Sequence, residues 1–202
     1  MDQTTGTNLI DQRLVKRVLQ GETHVFSEII KRTENLVAQI VFKMIDNQED
    51  RNDLSQDIYL KVFHNLAGFR FESKLSTWIA QIAYHTCFNY LQKKQLVLPG
   101  DGEPGSEEEA LEKLMSKASP GHAQDAVDQM SQKERLAILQ SAIERLSPVF
   151  KTLIILYHQE SLSYGEIAQI TNLPDGTVKS YLFRARKVLR ESILKKYKME
   201  EL

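Results

Sequence analysis

Cysteine and tryptophan each occur once in these 202 residues. Cys87 has no second cysteine to join, which excludes an intrachain disulfide and suits a reducing compartment. The plain expectation for it is a small buried hydrophobe. No apolar run approaches the roughly 20 residues needed to cross a bilayer. The opening MDQTTGTNLIDQ has neither the basic start nor the apolar core of a signal peptide, so a cytoplasmic chain without membrane insertion is expected. The histidines, His24, His64, His85, His122 and His158, show no paired spacing with Cys87 or carboxylates that would suggest zinc. No nucleophile–base pair is evident either, so no metal, no cofactor and no enzymatic activity are expected.

A basic excess is also missing: the formal net charge is −1. The balance changes when it is read along the chain. Residues 1–98 carry 12 basic and 11 acidic groups, residues 99–135 carry 4 and 9, and residues 136–202 carry 10 and 7. Between Thr177 and Lys198 stand 8 basic residues against Glu191 alone. The near-neutral total hides a polarised molecule with one strongly basic segment.

Sustained period-two alternation is absent, so no strands are predicted. Helical spacing dominates residues 8–95. Stripes run through Leu14, Val18 and Leu19, then Val25, Phe26, Ile29 and Ile30, then Leu36, Val37, Ile40, Val41, Met44 and Ile45. Two more comprise Leu54, Ile58, Val62, Phe63 and Leu66, and Leu75, Trp78, Ile79, Ile82 and Ala83. Short connections around Gly21, Asn47 and Gly68 predict a compact helical bundle. Residues 96–130 hold three of the five prolines, four of the nine glycines and many acids. That composition cannot bury a core and predicts a flexible acidic linker, with a transient helix over Glu107 to Lys117. Residues 131–198 form the second helical domain. Leu136, Leu139, Ile143 and Leu146 predict one buried helix stripe, and Ser147-Pro148 is an N-cap and first-turn proline for the next helix. The fold class is all-α, two small helical domains on a flexible acidic tether.

Three constellations carry chemistry. Ser163 to Arg190 is SYGEIAQITNLPDGTVKSYLFRARKVLR, a short helix, a turn at Asn172-Leu173-Pro174 and a longer basic helix, with Asp175 and Thr177 supplying capping chemistry. Val178, Leu182, Ala185, Leu189 and Ile193 predict its buried stripe. Lys179, Ser180, Phe183, Arg184, Arg186, Lys187 and Arg190 are left outward, a positive and hydroxyl-bearing face suited to a major groove. Which cations meet bases and which meet phosphates stays open, and Phe183 has two readings, a contact to thymine methyls or packing on a neighbouring helix. The second constellation is the loop with Arg70, Phe71, Ser73, Lys74 and Ser76, followed by a helix with Trp78, Tyr84, His85, Asn89, Tyr90, Lys93 and Lys94. Rings, amides and cations so interleaved suit single-stranded bases, although Trp78 at this spacing is the ordinary core residue. The third is Asp53, Gln56 and Asp57, read either as acids favouring a helix dipole or as a docking face for a basic partner.

In this order the three resemble the sigma-70 family of bacterial RNA polymerase initiation factors, in particular its extracytoplasmic-function group. The stretch DLSQDIYLKVFHNLAGFRFESKLSTWIAQIAYHT looks like the family's region 2, and LSPVFKTLIILYHQESLSYGEIAQITNLPDGTVKSYLFRARKVL like its region 4. The resemblance covers nearly the whole chain outside the linker. It implies that Asp53, Gln56 and Asp57 dock on the β′ clamp helices of core RNA polymerase. Arg70, Phe71, Ser73, Lys74, Ser76, Tyr84, His85, Asn89 and Lys93 would capture and help melt the −10 element. Region 4 would grip the β flap and set Thr177, Lys179, Ser180, Phe183, Arg184, Arg186 and Lys187 into the −35 groove. It also implies promoter DNA and an anti-sigma factor as partners, and a chain that is a monomer when free. The linker would follow the polymerase channel, and tethering the two DNA contacts makes the second effectively intramolecular. Phe71 stands where the family often has Gly and His85 where it often has Asn, two departures that bear on −10 base preference.

Two other readings compete on the residues alone. A dimeric repressor or response-regulator-type activator would share the helix-turn-helix but has no use for Asp53–Lys94. A helical adaptor that binds only protein leaves the basic helix unexplained.

Overall fold

The computed structural model describes residues 3–96 and 132–200, with side chains over 9–94 and 136–194. The expected linker and its Glu107–Lys117 helix lie, but for Leu96, outside the described residues. Every regular element within them is helical: α1 (Gln3–Leu19), α2 (Phe26–Met44), α3 (Gln48–Asn65), α4 (Leu75–Leu96), α5 (Gln132–Glu144), α6 (Pro148–His158), α7 (Tyr164–Thr171) and α8 (Asp175–Glu200). Short 3₁₀ turns precede α2 and follow α3. The chain divides into two compact units, Met1–Pro99 with Gly165–Leu173, and Gly100–Tyr164 with Pro174–Leu202.

In the first unit α2 is the central helix, packed on α1, α3 and α4. Its apolar side, Ile29, Val37, Ile40, Val41 and Met44, is fully withdrawn from water together with Ile58, Val62, Ile79, Ala83 and Cys87. Complete burial of an Ile or Val side chain stabilises by roughly 1.5–3 kcal/mol, so this shared seam dominates the unit. Asn47 caps α3, its side chain accepting from the Glu49 and Asp50 amides at 2.8 and 3.1 Å. Asp11 of α1 is buried and faces Arg32 of α2 at 3.4 Å. Burial raises its carboxyl above the usual range against the opposing pull of Arg32. Leu19, expected in the α1 stripe, is exposed, and Val15 takes its place in the core.

In the second unit α8 packs on α5 and α6. Ser147 is the α6 N-cap, as its Ser-Pro sequence predicts, and accepts from the Phe150 amide at 3.4 Å. From Val149 to Leu156 every α6 side chain is buried, the pattern of a helix surrounded by neighbours. Even Lys151 is buried, its Nζ reaching Glu144 at 2.9 Å. The α5 stripe differs from expectation. Ile138, Ala142 and Leu146 are buried, whereas Leu136 and Leu139 are exposed. This region has two apolar rows one residue out of phase, and the neighbouring helices take the row that places small Ala142 at the contact.

Candidate polymerase and nucleic-acid interfaces

Asp53, Gln56 and Asp57 lie in the second and third turns of α3, whose first turn holds Glu49 and Asp50 instead. The dipole reading therefore belongs to that earlier acidic pair, because the effect fades within the first turn. Leu54 and Ile58 turn inward while Asp53 and Gln56 are exposed and Asp57 is half-buried. Asp57 pairs with Lys61 one turn on, at 2.6 Å. Leu60 adjoins this face and is 57% exposed. Sequence reasoning passed over it, although an aliphatic residue out of phase with Leu54, Ile58 and Val62 was the available signal. The result is an aliphatic centre beside acids and an amide, a surface that matches a basic, partly apolar partner.

The loop between α3 and α4 departs from ordinary backbone at Phe71, whose φ is 60°. Only glycine adopts this left-handed region freely, so a bulky residue there is strained. The Phe71 ring is held 4.6 Å from Phe69, which in turn lies 5.1 Å from Trp78. Phe69 is buried and Trp78 half-buried. Arg70 and Lys74 are exposed beside this aromatic cluster, with Ser73 and Ser76 partly covered.

Along α4 the accessible side chains follow the helical period: Trp78, Gln81, His85, Asn89 and Lys93 form one line. Gln81 was not foreseen and belongs with them. Tyr84 does not. Only 2% exposed, with its ring stacked on Phe88, it is a core residue that no base can reach. Tyr90 sits on another side and donates to Asp50 at the start of α3, where Lys94 also approaches at 3.6 Å. That network ties the end of α4 to the bundle.

The turn before α8 is built by Asn172, whose φ of 55° ends α7, and the Leu173 amide bonds back to the Ala168 carbonyl at 3.1 Å. Asp175 is the first helical residue of α8 and not the capping position ahead of it. Its carboxylate in the first turn still favours the N-terminal end of the helix dipole. Val178, Leu182 and Ala185 are buried as expected, with Tyr181 beside them and Leu189 and Ile193 partly covered. Lys179, Ser180, Phe183, Arg184, Lys187 and Arg190 are exposed, and Thr177 and Arg186 are half-buried. The Ser180 hydroxyl donates to the Gly176 carbonyl at 2.9 Å. Phe183 is 68% exposed, which removes the reading that it packs on a neighbouring helix. A bare aromatic between cations on a helix surface is costly in water, and a groove offering thymine methyls would cover it.

Two family models match the chain, Sigma-70 region 2 over residues 29–97 and Sigma-70 region 4 over residues 136–189. The ECF RNA polymerase sigma-E factor of Haemophilus influenzae is 32% identical over 185 residues, 92% of this chain and 96% of that protein. This chain belongs to the extracytoplasmic-function group of the sigma-70 family. The sigma-E factor of Escherichia coli K12 is likewise 32% identical, over 187 residues covering 92% of this chain and 95% of its own length. Among solved structures, the sigma factor RpoE in complex with the anti-sigma factor NepR from Bartonella quintana shares the fold with a TM-score of 0.58 at 22% identity, over 83% of this chain and 96% of that one. Sigma factors are not catalytic, and this chain is no enzyme. Among the described residues no helix is long and apolar enough to cross a membrane, and no group of three or more His, Cys, Asp or Glu side chains could hold a metal ion.

Proposed function

We propose that this sigma factor binds core RNA polymerase in the bacterial cytoplasm and directs it to a set of promoters, with an anti-sigma factor holding it inactive until an envelope or environmental stress. The observation that carries the reading is the near full-length match to ECF sigma-E factors at 32% identity. The solved RpoE–NepR pair motivates the anti-sigma partner.

The residue roles are those the family resemblance implies, and exposure and side-chain chemistry support them. Asp53, Gln56 and Asp57 dock on the β′ clamp helices, with Leu60 as an aliphatic contact at their side. Arg70, Phe71, Ser73, Lys74, Ser76, His85, Asn89 and Lys93, joined by Gln81, face the −10 element, where half-buried rings and accessible amides meet unstacked bases and the cations hold phosphates. Tyr84 acts on this site only through the packing of α4. The outward face of α8 enters the −35 major groove, and the second unit also meets the β flap. The domains run over 8–95 and 131–198, with 96–130 as the tether. No step of promoter opening needs a catalytic group, because binding free energy drives it.

The docking assignment is tested by reversing charge at Asp53 and Asp57. Both side chains are accessible, so a D53K/D57K chain should fold and lose most of its retention on core polymerase in a pull-down. Retention equal to wild type would remove these residues from the interface.

A further inference from the structure

The cations of α8 are not equivalent. On a helix turning 100° per residue, Phe183 and Lys187 stand near the middle of the outward arc, with Lys179 and Arg186 on one rim and Ser180 and Arg184 on the other. The rim with Arg186 meets an aromatic structure that none of the assigned interfaces uses. Tyr157, at the end of α6, and Tyr164, at the start of α7, stack with ring centroids 5.0 Å apart and planes 16° apart. The intervening loop doubles back through Ser161 in the left-handed region (φ 54°), and the Leu162 amide bonds to the Leu156 carbonyl at 3.0 Å. Arg186 lies over the Tyr157 ring at 5.0 Å and Lys179 over the Tyr164 ring at 5.7 Å. The Arg186 Nε also donates to Nε2 of His158 at 3.4 Å.

Several consequences follow from these contacts. Neither Lys179 nor Arg186 is paired with a carboxylate among the described residues, so both retain an unneutralised charge while a ring face restrains their direction. The hydroxyl–hydroxyl hydrogen bond raises Tyr157 and lowers Tyr164, and Arg186 lowers both. Desolvation first, then Arg186, holds His158 below its ordinary value, which keeps it the neutral acceptor. Lys179 and Arg186 are seven residues apart, about 10 Å along the axis. Such a pair is suited to two anionic groups in line and poorly suited to a single base edge.

We propose that the stacked Tyr157–Tyr164 pair is a positioning platform that holds Arg186 and Lys179 as a clamp on the phosphodiester backbone of the −35 duplex. These cations then set the register of α8 and carry no base information, while Ser180, Phe183, Arg184 and Lys187 read the groove. The proposal rests on the reading that α8 enters that groove. It sorts cations that the sequence alone leaves unsorted, and it gives work to Tyr157, Tyr164 and His158.

The test is equilibrium binding of reconstituted holoenzyme to promoter duplexes at graded salt, on a preferred −35 element and on single-base variants of it. Arg186→Ala should weaken binding to all of them by a common factor and reduce the salt slope by about one. Tyr157→Leu should reproduce most of that loss, and adding Arg186→Ala to it should change little more. Tyr157→Phe, which keeps the stack, should stay near wild type. Tyr164→Leu serves as a second break in the stack should Tyr157→Leu fail to fold. Independent, multiplying losses in the double variant, or a change in preferred base with Arg186→Ala, would overturn the clamp while leaving α8 in the groove. Wild-type binding indifferent to a scrambled −35 element would overturn the groove reading, and the clamp with it.

Discussion

The ring of Phe71 rests 4.6 Å from that of Phe69 across a backbone that turns left-handed at Phe71 itself. Phe69 is buried while Phe71 stays half open. The pair therefore anchors the α3–α4 loop to the first unit at the cost of a strained residue. Strain of this kind persists where surrounding packing over-determines the backbone, and here it shapes the loop proposed above to meet the −10 element.

That relationship separates two substitutions that both remove the ring. Phe71→Gly relieves the backbone and Phe71→Ala does not, so the glycine variant should be the more stable by about 1 kcal/mol. Urea unfolding of the two proteins measures the difference directly. Equal midpoints would mean that the left-handed turn relaxes at no cost. Promoter opening by Phe71→Gly, compared with wild type, then reports what the ring adds to −10 recognition.

Phe183 and Arg184 should matter to DNA and little to folding. Phe183 is 68% exposed, and a surface change of this kind usually alters stability by no more than about 0.5 kcal/mol. Phe183→Ala should keep the melting temperature and lose preference for thymine over deoxyuridine in the −35 element, since only the 5-methyl group differs. Arg184 lies over the Tyr181 ring at 5.8 Å and is exposed at the opposite rim from Arg186. Arg184→Ala should cost about 1–3 kcal/mol of −35 recognition if it pairs with a base, and should relax selectivity at one position. Competition binding of holoenzyme against a panel of −35 duplexes checks both, and unchanged selectivity would remove them from the reading face.

Cys87 is fully buried, and burial pushes its thiol up to about 12 against a weak opposing influence from Lys61. The folded thiol should resist alkylation by iodoacetamide at neutral pH and react once the chain is unfolded. The sign of its pH effect follows. Between the ordinary thiol value near 9 and about 12 the unfolded chain gives up the proton while the folded chain keeps it. Stability should therefore fall as pH rises through that window, by up to about 1.4 kcal/mol per pH unit. Cys87→Ala should flatten this part of the profile. An identical decline in both proteins would assign the loss to other groups.

Local chemistry was the part most legible in the sequence. Ser147-Pro148 starts α6 because a hydroxyl and a fixed φ act within one turn, with no help from distant residues. The stripes of α2 and α8 were readable because their buried rows keep one helical period, whereas on α3 the row of Leu54, Ile58 and Val62 leaves Phe63, expected within it, 38% exposed. Where two faces compete, periodicity could not choose: Leu136 and Leu139 of α5 are exposed while Ile138 and Ala142 are buried, a choice made by the neighbouring helices. Tyr84 failed for a related reason, since a ring on a mixed helix looks the same in sequence whether it faces the core or a base. Asp175 was displaced by one position because Asn172 and Pro174 set the turn. The strain at Phe71 and the stack of Tyr157 on Tyr164 arise from backbone reversals that no spacing rule exposes.

In vitro transcription with purified core polymerase and a randomised promoter library tests the central claim most directly. Adding this chain should select transcripts whose start sites share two elements at fixed spacing, with the upstream preference altered by Arg184→Ala and the downstream one by His85→Asn. Transcripts from the core enzyme that are unchanged by the chain would contradict the account, as would tight operator binding by the chain without polymerase.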